Sequence, residues 1–387
     1  MDVDKTKYHK KTILQVVPAL ISGGVERGTL EIAKKVVESG NNSIVVSAGG
    51  PLVDSLVKHG STHITMNVAS KNPITILLNA KRIADVIRSH DVNIVHARSR
   101  APAWSCYIAA KLTSACLITT FHGIYNFNNY LKKLYNSVMT EGHRVIAVSN
   151  FVKQHIINNY KIDKKKITVI HRGVNHDDFS KKHLSDDLIA DLKKKYKIPQ
   201  DAPVLLLPSR MTRWKGHLVL VDALAKIKHL NFYCIMAGDL AKHPSYVISI
   251  RDKIRKYKMQ DRVQLFGNEP NVVGLYGISD IVISTSIEPE AFGRTIIEAQ
   301  SMEKIVIATN IGGASETIKD GVSGFHVSPN NSDELAQKIE HALSILGSPD
   351  ARKITTTARK DVRTKFSLNL MLEKTLSIYD KAMQHSE

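Results

Sequence analysis

The chain has 387 residues, 43% of them hydrophobic, with 54 Lys+Arg against 36 Asp+Glu. At about 150 residues per domain this is chain enough for two domains, too apolar for disorder and without the roughly 18 to 20 residue apolar run of a spanning helix. The three cysteines, Cys106, Cys116 and Cys234, contain no C-x-x-C pair, which argues against a disulfide framework or a cysteine zinc site and for a reducing compartment.

Short β-branched runs alternate with longer amphipathic stretches, the pattern of parallel βαβ units. The first series predicts strands at 12–17, 43–47, 94–96, 117–120, 145–148 and 167–170, with helices such as 26–38, 74–88 and 151–159 between them. The apolar stretch 13–21 is expected to be a strand leading into a glycine loop, which fits better than a secretory leader. It contains Gln15 and Pro18 and runs into a glycine turn rather than a small-residue cleavage site. After residue 170 the pattern breaks into a lysine-rich segment around a short helix, ending at Pro199, Asp201 and Pro203. A second series follows, with strands at 204–207, 232–236, 263–266, 281–284, 305–308 and 324–327 and a helix over 332–346. The last forty residues read as helices. The expected division is therefore 1–198, 199–363 and a terminal helix at 364–387, with ligands at the carboxyl edges of two doubly wound sheets.

Four runs at those edges carry chemistry. The densest holds Glu290, Phe292, Gly293, Arg294, Thr295 and Glu298 after the strand ending at Ser284. Gly293 allows close backbone approach where a helix starts, and the N–H groups of that start suit a phosphate. Two carboxylates on separate elements suit the vicinal hydroxyls of a ribose and a hexose. Glu288 and Glu290 both occupy the loop, and spacing favours Glu290. The second run, from Ser209 to His217, places Arg210 as a fork for a diphosphate and Lys215 as a point charge beside it. The third, Gly23 and Gly24 before Glu26, is a phosphate-cradling turn without the full G-x-G-x-x-G spacing. No acidic residue closes the second strand, which counts against NAD. The fourth puts the imidazole of His122 at the end of another strand. H-E-x-x-H and G-x-S-x-G are both absent from the chain.

In combination Glu290-x7-Glu298 with Phe292-Gly293, Arg210-x4-Lys215-Gly216 and the Gly23-Gly24 loop resemble the retaining GT-B glycosyltransferases of family 4, of the bacterial cell-surface glycan or lipopolysaccharide type. The resemblance implies two Rossmann-like domains facing across a cleft and a C-terminal helix crossing back to the first. It implies a nucleotide-sugar donor, expected to be a UDP-sugar, a glycan or lipid-linked acceptor, and no further cofactor. Arg210 and Lys215 would neutralise the departing diphosphate. Glu290 and the amides around Phe292, Gly293, Arg294 and Thr295 would hold the transferred sugar, and Glu298 the ribose. Gly23 and Gly24 would close on the phosphates, with His122 near the sugar and acceptor. Arg172 and Asn175 depart from the family's usual Asn-Gly-Val-Asp. The lone D-x-D triplet, Asp2-Val3-Asp4, precedes the first strand, so no metal is expected.

The charge is uneven. Residues 1–200 carry 30 Lys+Arg against 15 Asp+Glu, and the rest 24 against 21. Charge alone permits a nucleic-acid partner, but no RNP-type aromatic pattern, helix-turn-helix or zinc finger accompanies it. Another GT-B enzyme, such as a nucleotide-sugar epimerase, is the remaining alternative. The basic first half, with Lys132-Lys133, Lys164 to Lys166 and Lys181-Lys182, suits a cytoplasmic enzyme working peripherally at the anionic inner face of a membrane, without nucleic acid.

Overall fold

Strands here are short and buried on both faces, which is why their sequences are continuous apolar runs rather than alternating ones. The computed structural model describes residues 10–21 and 23–384. The Asp2-Val3-Asp4 triplet lies outside them.

The first unit comprises 1–171 together with 371–387. Its strands are β1 (Thr12–Val16), β2 (Asn42–Ser47), β3 (Thr62–Thr65), β4 (Ile94–Ala97), β5 (Cys116–Phe121), β6 (Arg144–Ala147) and β7 (Ile167–Val169). They form one sheet in the order β3-β2-β1-β4-β5-β6-β7, every pair parallel. Sequence reading did not foresee β3: it is a four-residue edge strand with no fully buried residue, so it lacks an apolar run.

The second unit comprises 172–370. Its strands are β8 (Val204–Pro208), β9 (Tyr233–Ala237), β10 (Val263–Phe266), β11 (Ile281–Ser284), β12 (Ile305–Thr309) and β13 (Phe325–Val327), again all parallel, in the order β10-β9-β8-β11-β12-β13. Leu205, Leu207, Cys234, Met236, Ile283 and Ile307 face one core with Leu220, Leu224 and Ile250 from its helices. Each such side chain contributes roughly 1.5 to 3 kcal/mol by leaving water. Both units are Rossmann-like α/β domains. In each, the winding direction reverses once, between β1 and β4 and between β8 and β11, and such a reversal opens a crevice at the carboxyl ends of the strands.

The division by contact falls at 171–172, earlier than the polar segment suggested. The helix Asp186–Lys195 packs on the helix Val272–Ile278, and a Cβ at Gly277 would touch both Leu184 and Ile189. Tyr196 stands edge-on to Phe266 at 4.5 Å, and its hydroxyl bonds Glu269. The 172–175 loop is tied to the chain's later return, with Val174 N–H donating to Phe366 O and Leu368 N–H to Val174 O, each at 3.0 Å. Lysine-rich composition marked a surface there, not a boundary. The chain re-enters the first unit at Met371, inside the helix Leu368–Met383. Among the described residues no helix is long and apolar enough to cross a membrane.

Candidate active site

The reversal of the second sheet brings the loop after β8 against the loop after β11. Past Pro208 the chain makes a 3-10 turn at Arg213–Lys215, then Gly216 at φ 70° opens the helix His217–Lys226. A Cβ on Gly216 would stand 1.9 Å from the Thr285 carbonyl oxygen, so only glycine admits this approach. The loops are then joined twice more: Ile287 N–H donates to Trp214 O at 2.8 Å and Thr285 Oγ1 donates to Lys215 O at 2.9 Å.

Across this junction Lys215 Nζ meets Glu290 Oε1 at 2.5 Å, with side chains only 12% and 11% exposed. Ser286 Oγ donates to the same carboxylate oxygen. Burial would push the Glu290 carboxyl up, but Lys215, the Ser286 hydroxyl and the Arg210 charge outweigh it and hold the group below the ordinary glutamate range. Glu290 is therefore an anion at neutral pH. Glu288, the other glutamate of the loop, is exposed. The backbone behind Glu290 is pinned as well: Gly313 N–H donates to Glu290 O at 2.7 Å, and a Cβ on Gly312 would come within 2.5 Å of that oxygen. Arg210 is exposed, its guanidinium 5.4 Å from the Trp214 ring centroid, and Lys215 Nζ lies 4.3 Å from the same centroid. One indole thus carries both cations, an arrangement worth about 0.5 to 2 kcal/mol per contact depending on desolvation.

Gly293, at φ 84°, caps the start of the helix Arg294–Ser301. The Phe292 side chain is core, edge-on to Phe366 at 5.5 Å, so only its backbone is available to a ligand. Arg294 and Thr295 occupy the first turn. Glu298 is buried beneath them. Its Oε2 accepts from Tyr276 Oη at 3.0 Å, and Arg294 Nε lies 3.5 Å from Oε1. Arg210, Lys215 and Glu290 thus form one cluster, while Glu298 has partners of its own. His217, next to Lys215, is buried, with Nε2 3.2 Å from Ser209 Oγ. Burial first, and the Lys215 charge second, hold its imidazole down to about 4.

Gly23, Gly24 and His122 belong to the first unit. Gly23 has φ 128° and precedes the helix Gly24–Glu38, and His122 follows Phe121 at the end of β5, half-buried. Sequence reasoning missed Ser286, Tyr276 and the role of Trp214. Ser286 and Trp214 were inside the runs already singled out, while Tyr276, on a preceding helix, gave no local signal.

Chemically, the cluster offers two cations and a helix start for a diphosphate, beside an ionised carboxylate that accepts from hydroxyls. The family description Glycosyltransferase Family 4 matches residues 22–178, and Glycosyl transferases group 1 matches residues 189–361. A crystal structure of a glycosyltransferase from Rickettsia africae ESF-5 is 57% identical, with a TM-score of 0.92 over 97% of this chain and 99% of that one. Anabaena Alr3699/HepE, solved in complex with UDP and glucose, shares the fold at 23% identity, with a TM-score of 0.84 over 96% of this chain and 100% of that one. The phosphatidylinositol N-acetylglucosaminyltransferase GPI3 subunit of Saccharomyces cerevisiae (strain YJM789) is 26% identical over 344 residues, 84% of this chain and 73% of that protein.

Proposed function

The chain belongs to the family 4 glycosyltransferases of GT-B fold, which move sugar from nucleotide sugars to glycan or lipid acceptors, and from this premise we propose that it transfers a hexosyl unit from a UDP-sugar, with retention, to a hydroxyl of a lipid-linked or cell-surface glycan precursor. The Lys215–Glu290 pair at the sheet reversal carries this reading. Donor binding exchanges the pair's mutual contact for ligand contacts. The Lys215 ammonium turns to the diphosphate with Arg210, and Glu290 accepts from hydroxyls of the sugar. Glu298, steadied by Tyr276, takes the ribose. From the first unit, Gly23 and Gly24 serve the phosphates and His122 serves the sugar and acceptor.

The C–O bond from the anomeric carbon to the diphosphate breaks as the acceptor oxygen bonds on the same face. The acceptor's proton passes to the departing phosphate oxygen. The rate gain then rests on stabilising the charge that develops on the leaving diphosphate, because preorganised cations in a water-poor site act most strongly where charge appears. UDP as the nucleotide is supported by the HepE complex, and a lipid acceptor by the yeast relative's phosphatidylinositol. The basic first unit supports work at an anionic, cytoplasmic membrane face, and no cofactor or metal is required by the scheme.

Calorimetry against UDP-, GDP- and ADP-sugars should show UDP-sugars binding most tightly, and NMR of the product should show the donor's anomeric configuration. An inverted product sinks the retaining mechanism, and binding of none of the donors sinks the site. Turnover abolished by chelator and restored by manganese would refute metal independence.

A further inference from the structure

Two helix starts in the first unit expose large apolar side chains. On the helix Pro73–Ser89, Ile74 is 70% exposed, and Leu77 and Leu78 more than half. On the helix Tyr130–Ser137, Tyr130 and Leu131 are 76% and 75% exposed, and Leu134 nearly half. Both turns are firmly built. The Asn72 side chain accepts from Ile74 N–H and Thr75 N–H, the Asn129 side chain accepts from Lys132 N–H, and Pro73 occupies the first position of its helix.

Topology brings the two together. The connection from β3 to β4 crosses back over the sheet, so its helix lies on the same face as the helices after β4 and β5. The helix Arg100–Lys111 sits between them: Ser105 Oγ donates to Ile76 O and the adjacent Trp104 Nε1 donates to Tyr135 O, each at 3.0 Å. Because helices that follow parallel strands begin at the carboxyl edge, both apolar turns project at that edge. Near these turns the exposed side chains include basic ones, while Asp85 sits further along the first helix, paired with Arg88. The stretches 55–84 and 92–140 that carry the turns hold no Asp or Glu, and beside the turns stand the exposed Lys71 and Lys132 and, next to the latter, Lys133.

We propose that this corner of the first unit docks on an anionic lipid bilayer, with the apolar turns of 74–78 and 130–134 entering the interface and Lys71, Lys132 and Lys133 meeting the headgroups. The proposal rests on the membrane-side acceptor suggested above and names the surface that reaches it. Nucleic acid would leave the leucines and Ile74 in water. A second copy on the same patch would set lysines against lysines.

The test uses the full chain and sedimentation with vesicles of phosphatidylcholine, alone or mixed with phosphatidylglycerol. Binding is expected to the mixed vesicles and to fall at high salt. Each lysine near such a surface strengthens binding roughly fivefold, so Lys132→Ala with Lys133→Ala should weaken it roughly 25-fold. Leu77→Ser with Leu131→Ser withdraws two apolar side chains from the interface and should weaken binding roughly tenfold or more, with donor affinity unchanged in both variants. Equal binding to both vesicle types, unchanged binding by either variant, or self-association lost in the leucine variant in place of vesicle binding overturns the proposal. Vesicle binding without turnover of any nucleotide sugar would instead overturn the reaction and leave the surface standing.

Discussion

The two sheets share a strand order, and each has one reversal, but their polar groups are used differently there. Between β8 and β11, Lys215 and Glu290 pair across the two loops that follow the strands. At the first sheet's reversal, Gln15 on β1, His96 on β4 and Arg98, one residue past β4, are sealed. His96 Nδ1 pairs with Tyr379 Oη and Nε2 with Thr120 Oγ1, each at 2.7 Å, and burial keeps the imidazole neutral. That polar layer docks the C-terminal helix. Equal topology thus gives an ion pair between loops in one unit and a sealed polar joint in the other, where the polar side chains pack against the C-terminal helix.

The comparison breaks most sharply at Glu290. Glu290→Gln should lower turnover on the order of a thousandfold, because an ionised acceptor becomes neutral beside a buried cation. Steady-state kinetics on folded protein checks it, and parental activity would refute the assignment. Next comes the pH dependence of stability. His217 has a folded value near 4 against the ordinary 6.5, so between these pH values the unfolded chain binds the extra proton. Stability should therefore fall by about 3 kcal/mol as pH drops from 6.5 to 4. Urea melts of His217→Gln should show a flatter profile, with His96 first among the groups responsible for what remains.

His96→Ala should cost about 2 to 3 kcal/mol by leaving the Tyr379 and Thr120 hydroxyls unpaired, while turnover per folded molecule stays unchanged. A fall in kcat at equal folded fraction would erase the contrast between the two reversals. Smallest, Tyr276→Phe removes one hydrogen bond to Glu298, about 1 kcal/mol, and should raise the donor KM roughly fivefold with little change in kcat.

Much of this was legible in the primary structure. Among the described residues, twelve of the thirteen strands announce themselves as apolar runs, because parallel strands buried on both faces admit little else. Arg210, Lys215 and Glu290 stand out because they follow such runs directly. Other features gave no local trace. Strand β3 is half-exposed, and Tyr276 reaches Glu298 from another helix. The acid-free stretches were also present in the sequence, but that Ile74 and Leu131 lie uncovered on helices flanking the same third helix was not. The charge contrast itself softens once the units are known: 25 Lys+Arg against 13 Asp+Glu in the first, 29 against 23 in the second.

By itself, then, the sequence determined two parallel α/β units and the family, since periodicity and loop glycines are local properties. Only the tertiary structure decided which of two glutamates turns inward, which histidines are sealed, and where the lysine-rich 172–198 segment belongs. Those outcomes depend on contacts between residues far apart in the chain, such as Lys215 with Glu290 and Leu184 with Gly277, and no local pattern records them.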